Sequence, residues 1–258
     1  MTVAFIGLGL HDEKSITLEG LEEARHADTV FAEFYTNIMP SLDLKKLEEK
    51  IRQRIVVLNR RQLEDESGRD IVRAASTGDV AFLVPGDPMV ATTHIAVRLD
   101  LARRGIPSRI VHGPSVSSAV CGATGLQNNK FGKPTTLPHE PNVPGSVLET
   151  LRDNRTRGLH TLVLLDIRPE LQDQLTAGSA SSKLVGADGA LSEWIGIGLA
   201  RLGSHDEKVL CRRLGELQHI DLGNAPHSLV IPGKLHFIEV ESLHAFCNAR
   251  SEDLEMLK

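Results

Sequence analysis

The chain has 258 residues, a net charge of −5, 41% hydrophobic and 24% charged residues, and an aromatic set of only seven Phe, one Tyr and one Trp. This composition is globular, far from the low-hydrophobicity, high-charge range of disordered chains. It argues against a basic nucleic-acid-binding surface and against an aromatic platform for unpaired bases, so any bound base ring must lie on aliphatic side chains and backbone.

The opening stretch, Met1 to Leu10, is apolar with no Lys or Arg before it, and Asp12 and Glu13 follow at once, so it reads as a first strand and not as a signal peptide. No uncharged run approaches the ~20 residues of a membrane span. Val3 to Ile6 is the first strand, and Thr17 opens a helix with Leu18, Leu21 and Ala24 on one side and Glu19 in its first turn. Thr29 to Glu33 is a second strand. Leu44, Leu47 and Ile51 mark a helix, Ile55 to Leu58 a strand, and 69–77 a helix. Val80 to Val84, a helix carrying Ile95, Leu99 and Ala102, and a strand from Ser108 to His112 complete five strands interleaved with helices. That rhythm implies parallel, right-handed βαβ units.

Near Gly113-Pro114 the rhythm breaks, which divides the chain into an N-terminal α/β lobe, 1–113, and a C-terminal α/β lobe, 114–258. The segment 125–145, rich in Gly, Asn and Pro, is expected to join the lobes. Thr161 to Asp166 and Trp194 to Ala200 read as strands. Ser228 to Ile231 and Leu235 to Val240, around Pro232-Gly233, read as an antiparallel pair. Leu243, Phe246 and Cys247 suggest a closing helix. The segment 176–190 is so small and polar that it is expected to be a mobile surface stretch.

In open parallel sheets, ligands bind beyond the carboxyl ends of the strands. The first strand runs into Gly7-Leu8-Gly9-Leu10, but Asp12 stands where the last glycine of a dinucleotide fingerprint would fall, so a plain tight turn is the simpler reading. Pro85-Gly86-Asp87-Pro88 follows the strand ending at Val84. Asp87 is placed there to accept hydrogen bonds from a ribose or an amine, or simply to cap its own turn, as Asp often does. Ser115, directly before a helix, reads first as its N-cap. The eleven histidines include no H-E-x-x-H, and the three cysteines, Cys121, Cys211 and Cys247, form no C-x-x-C pair, so no metal site is expected and free thiols in a reducing cytoplasm are. Pattern alone reaches a two-lobed α/β protein with a small-molecule cleft.

The residues themselves carry more. Gly7-Leu-Gly-Leu10, Ile16-Thr-Leu18, Ala32-Glu-Phe-Tyr-Thr36, Pro85-Gly-Asp-Pro-Met-Val-Ala-Thr-Thr-His94, His112-Gly-Pro-Ser115, Lys130-Phe-Gly132, Leu165-Asp-Ile167, Ala200-Arg201 and Pro226-His227 into Ile231-Pro-Gly-Lys-Leu-His236 occur in order over nearly the whole chain. In this set the chain resembles the diphthine synthases of the tetrapyrrole-methylase superfamily. The resemblance implies a two-lobed tetrapyrrole-methylase fold, with a mostly parallel N-terminal sheet, a mixed C-terminal sheet and a cofactor cleft between the lobes. It also implies a cytoplasmic, homodimeric S-adenosylmethionine-dependent methyltransferase that releases S-adenosylhomocysteine and uses no metal. Its partner would be elongation factor 2, with no nucleic acid or membrane involved, and its reaction trimethylation of a 3-amino-3-carboxypropyl-histidine in diphthamide biosynthesis. Matching positions carry over as cofactor contacts: Leu10, Asp87, Val90, Ser115, Val116, Leu165, Leu202 and His227. Ser15, Asn129 and Asn224-Ala225 depart from the family pattern and bear on acceptor recognition.

The sulfonium methyl is already activated, so positioning and exclusion of water are expected to do most of the work. The acceptor amine must be neutral, which a desolvating site favours. Glu33, at a strand end beside Tyr35, is the candidate base if one acts. Two alternatives stay open: a tetrapyrrole acceptor, such as a precorrin or uroporphyrinogen, and a non-catalytic sensor of a nucleotide-like ligand.

Overall fold

Two five-residue runs, Val3–Gly7 and Val80–Val84, are buried throughout and form the centre of the first half of the chain. The computed structural model describes residues 1–168 and 174–257. Its elements begin with β1 (Val3–Gly7), α1 (Leu18–His26), β2 (Thr29–Glu33), α2 (Leu44–Ile51), β3 (Ile55–Leu58), α3 (Arg60–Leu63) and α4 (Arg69–Ala74), followed by β4 (Val80–Val84), α5 (Ile95–Arg103) and β5 (Ser108–Val111). The strands form one sheet in the order β3-β2-β4-β1-β5, every pairing parallel. Alternation along the strands sends Phe5, Phe31 and Phe82 to one face, where Leu63, Ile71, Val97 and Leu101 meet them. Ala4, Ile6, Val30, Ala81 and Leu83 face the other way, onto Ala24, Leu47 and Ile51. Each large side chain so buried contributes roughly 1.5–3 kcal/mol.

Thr17 caps α1 by accepting from Gly20 N, and Asp43 caps α2 by accepting from Lys45 N and Lys46 N. Two helix stripes differ from expectation. Leu18 is 81% exposed, while Gly20 and Ala24 form the buried side of α1. In α5, Ile95 and Leu99 are 59% and 50% exposed and Val97 and Leu101 fill the core. The segment Ile95-Ala-Val-Arg-Leu-Asp-Leu-Ala-Arg103 is apolar around most of its circumference, so spacing alone selects no single face.

The described residues divide into two compact units, Met1–Val116 and Ser117 onward. The second contains most of α6 (Val116–Thr124), then β6 (Thr135–Leu137), α7 (Gly145–Thr156), β7 (Thr161–Leu165), α8 (Ala177–Ala187), β8 (Ile195–Ala200), β9 (Lys208–Arg213), α9 (Leu214–Leu217), β10 (His227–Ile231), α10 (Phe237–Cys247) and α11 (Ser251–Leu254). Its sheet has the order β6-β7-β10-β8-β9, with β6 parallel to β7 and the other pairs antiparallel. No helix among the described residues is long and apolar enough to cross a membrane.

Three expectations for this half are corrected. The segment 125–145 is no plain connector: it supplies β6 to the sheet of the second unit. The segment 176–190 is the capped helix α8 and a following 3-10 turn, with Ala177, Gly178, Ala180, Ser181 and Leu184 buried. Its small residues are a packing requirement: a Cβ on Gly198 of β8 would already stand 2.9 Å from Ala177 Cβ. The run Leu235 to Val240 is no strand but the start of α10, because His236 N donates to Glu239 Oε2 at 2.8 Å in a capping box. Phe237 and Ile238 are exposed there, so their apolarity misleads.

Glu239 also anchors the second unit. Fully buried, its carboxylate accepts from Gln127 N and His160 Nε2, both at 2.9 Å, and from Lys130 Nζ. His160 Nδ1 accepts from Gly233 N at 3.0 Å, so the neutral ring donates through Nε2. Burial opposes the Glu239 charge, but these donors outweigh it and hold the carboxyl down at about 2, from an ordinary 4.5. Burial pushes His160 below its ordinary 6.5. As pH falls below 6.5 the unfolded chain takes up the His160 proton first, and from 4.5 toward about 2 it takes up the Glu239 proton first. Both effects remove stability on acidification. Urea unfolding followed between pH 7 and about 4 is expected to show that loss. Glu239→Ala, which strands Lys130 and His160, is expected to cost about 3–5 kcal/mol at pH 7.

Candidate functional site

β1 and β4 are neighbours, yet the chain leaves β1 toward β2 and leaves β4 toward β5, on opposite sides. This reversal is the switch point at which open α/β sheets bind ligands. Three strand-end segments meet there. Gly9 N donates to Gly86 O at 3.2 Å, and Gly86 N donates to Gly9 O at 2.7 Å. A Cβ on Gly7 would lie 2.6 Å from both Gly113 N and Gly86 O, and one on Gly113 would lie 2.6 Å from Gly86 O. Only bare backbone fits. Gly86 itself, at φ 71°, differs: a Cβ there would have only Ser115 Cβ near it, at 4.0 Å. It presents backbone to open space.

Around that point lie five of the sequence-derived positions. Leu10 and Val116 are half-buried, Val90 is exposed and Ser115 is buried directly before α6. Asp87 satisfies the modest reading outright, since its Oδ1 accepts from Met89 N at 2.9 Å and closes its own turn. Its Oδ2 lies 2.7 Å from Nδ1 of His112, whose ring is largely exposed. A carboxylate has about four acceptor positions, so two remain after these contacts. The arrangement joins one carboxylate, bare backbone and aliphatic side chains. That set suits a ribose or amine beside a base ring held without aromatic stacking.

Glu33 ends β2 and is fully buried. Its Oε2 accepts from Tyr35 N at 2.9 Å and Thr36 N at 3.0 Å, and Oε1 accepts from Thr36 Oγ1. With no exposed surface, the carboxyl anchors the turn 34–36. Burial raises its pKa, an effect that the Thr36 and Tyr35 hydrogen bonds oppose. Beside it stands His94, also fully buried, with its ring edge-on to Phe82 at 5.0 Å. Sequence reasoning placed His94 at a helix start and gave it no role. Only burial, which spacing does not reveal, brings it to Glu33. The Tyr35 ring is buried, with the Arg60 guanidinium 5.2 Å from its centroid, and burial foremost raises its pKa.

The remaining three positions share one end of the second unit's sheet. His227 at the start of β10 is in register with Ala200 at the end of β8, and Ser228 with Leu164, which puts Leu165 and Leu202 at the same edge. Leu165 and Leu202 are buried. His227 Nδ1 accepts from Ala177 N at 3.0 Å, while Nε2–H donates to the Gly223 and Asn224 carbonyls, both at 3.0 Å. The ring is therefore neutral and held by backbone, and burial lowers its pKa.

The sequence profile of the Tetrapyrrole (Corrin/Porphyrin) Methylases matches residues 2–218. With two α/β units, the parallel sheet preceding the mixed one, the chain has the tetrapyrrole-methylase fold and is a methyltransferase. A diphthine synthase of Archaeoglobus fulgidus is 44% identical over 252 residues, 97% of each chain, and one of Halorubrum lacusprofundi is 43% identical, over 98% of this chain and 99% of that one. A crystal structure of a diphthine synthase matches with a TM-score of 0.92 and 41% identity over 100% of both chains. The chain belongs to the diphthine synthases.

The glycine contacts predict opposite outcomes for two similar substitutions. Gly113→Ala forces backbone apart and should lose about 3 kcal/mol or more in urea unfolding. Gly86→Ala should fold, losing about 1–2 kcal/mol for its positive φ.

Proposed function

We propose that the enzyme transfers methyl groups from S-adenosylmethionine to the amine of a 3-amino-3-carboxypropyl-histidine on elongation factor 2, giving the trimethylated residue of diphthamide biosynthesis. The observation that carries this reading is likeness to diphthine synthases over almost the full chain, joined to an open glycine backbone at the switch point of the first sheet. The donor set fits the cofactor: Asp87 has acceptor positions for a hydroxyl or ammonium group, and Leu10, Val90 and Val116 offer aliphatic surface to a base. In this reading the first unit holds the cofactor through these residues and Ser115, and Leu165, Leu202 and His227 of the second unit are cofactor contacts as well. The functional form is a homodimer.

When bound, the cofactor supplies a methyl group already activated on sulfonium. The chain's own task is to orient that methyl against the amine and to keep water away. An alkylamine is mostly protonated at pH 7, so aliphatic surroundings that disfavour the ammonium form raise the reactive fraction. Buried Glu33, with both oxygens engaged, acts by holding the turn 34–36 and takes no proton from the acceptor.

Titration calorimetry with S-adenosylhomocysteine should give saturable one-to-one binding, weakened at least about tenfold in Asp87→Ala, which removes a charge-assisted hydrogen bond. Labelled methyl should pass to elongation factor 2 that carries the 3-amino-3-carboxypropyl group and not to the unmodified factor. Label passing to a precorrin or uroporphyrinogen instead would establish the tetrapyrrole reading. Binding without transfer to any of these acceptors would favour a sensor.

A further inference from the structure

His94 and Glu33 present an unsolved pairing. His94 Nδ1 lies 3.4 Å from the Pro88 carbonyl, an oxygen that only accepts, so Nδ1 carries hydrogen. In the neutral ring Nε2 is then a bare lone pair. It is buried, has no hydrogen-bond partner and stands 3.9 Å from Glu33 Oε1. Were Glu33 ionised, two fully buried acceptors would face each other.

We propose that Glu33 is a carboxylic acid at neutral pH, its proton on Oε1 and directed at His94 Nε2. Glu33 and His94 are thereby positioning residues that tie the turn 34–36 to the loop 85–94 carrying Asp87. The contacts are compatible with the acid form: Oε2, as the carbonyl oxygen, accepts from Tyr35 N and Thr36 N, and Oε1 accepts from the Thr36 hydroxyl, which leaves its own hydrogen to face Nε2. The other charged groups nearby favour no anion at Glu33. Glu64, which accepts from Thr93 Oγ1 at 3.4 Å, adds negative charge, and Arg60 is stacked on the Tyr35 ring. Burial raises the Glu33 pKa and lowers that of His94 to about 4, both toward a neutral acid beside a neutral imidazole.

The sign of the pH dependence follows. Above 6.5, the ordinary His value, the unfolded chain carries neither proton, since free Glu titrates at 4.5, while the folded pair carries one. Stability from this pair therefore falls as pH rises, until Glu33 ionises in the folded state. Glu33→Gln supplies a donor that does not titrate: its amide oxygen accepts from the 35 and 36 N–H groups and its NH2 donates to Nε2. Urea unfolding of both proteins from pH 6.5 to 9 should show the variant gaining on the wild type by about tenfold in the unfolding equilibrium constant per pH unit until Glu33 ionises. Parallel profiles, with the variant less stable throughout, would overturn the proposal. Nitrogen NMR of the wild type labelled at histidine provides a check that needs no variant. His94 should show Nδ1–H and a hydrogen-bonded Nε2 at pH 7, and a bare Nε2 across the whole range would also overturn it. The link to cofactor binding rests on the preceding functional reading. Both measurements use the protein alone, so a failure to bind S-adenosylhomocysteine would count against that reading and not against the protonated Glu33.

Discussion

Three backbone segments at the ends of β1, β4 and β5 occupy a space that admits no side chain, and the first unit is arranged around that contact. Gly7 and Gly113 touch the Gly86 carbonyl so closely that an added methyl would displace backbone, and the paired hydrogen bonds of Gly9 and Gly86 lock the first two segments together. The consequence is chemical. With its neighbours pressed behind it, Gly86 turns a bare α-carbon toward open space beside Ser115, with Asp87 next in sequence. A site for a polar cofactor with a flat base needs such a floor when the chain has almost no aromatic side chains to offer.

The polar side chains at the candidate positions are mostly committed to contacts within their own unit. Asp87 closes its own turn and meets His112 while keeping acceptor positions. His227 is fixed by three backbone groups. Glu33 is sealed below the surface. For each of these residues the modest structural role is real, and a functional role, where proposed, is added to it. Methyl transfer from sulfonium suits such a site, because positioning and dryness contribute more than a mobile acid or base.

Much of the first unit was legible because its signals are local. Runs such as Val80 to Val84 are apolar throughout, as parallel strands buried on both faces must be, and the cap Thr17 stands where a helix begins. The second unit was harder for equally physical reasons. The stretch 176–190 reads as surface by composition, but its small residues are what let α8 approach β8. Leu235 to Val240 has the apolar, β-branched composition of a strand, and the reciprocal bonds of His236 and Glu239 start a helix there. Strand-end positions such as Leu10 and Asp87 are nominated by motif and resemblance together. His94 could not, since its place beside Glu33 depends on β2 and β4 being adjacent.

In the proposed reading the cofactor lies against the open face of Gly86. Titration calorimetry of Gly86→Ala with S-adenosylhomocysteine, beside the wild type and with folding checked by circular dichroism, tests it most directly. The expected result is a folded variant whose affinity falls at least about tenfold, or about 1.4 kcal/mol, because the new methyl occupies the ligand's place. A folded variant that binds as tightly as the wild type would contradict it.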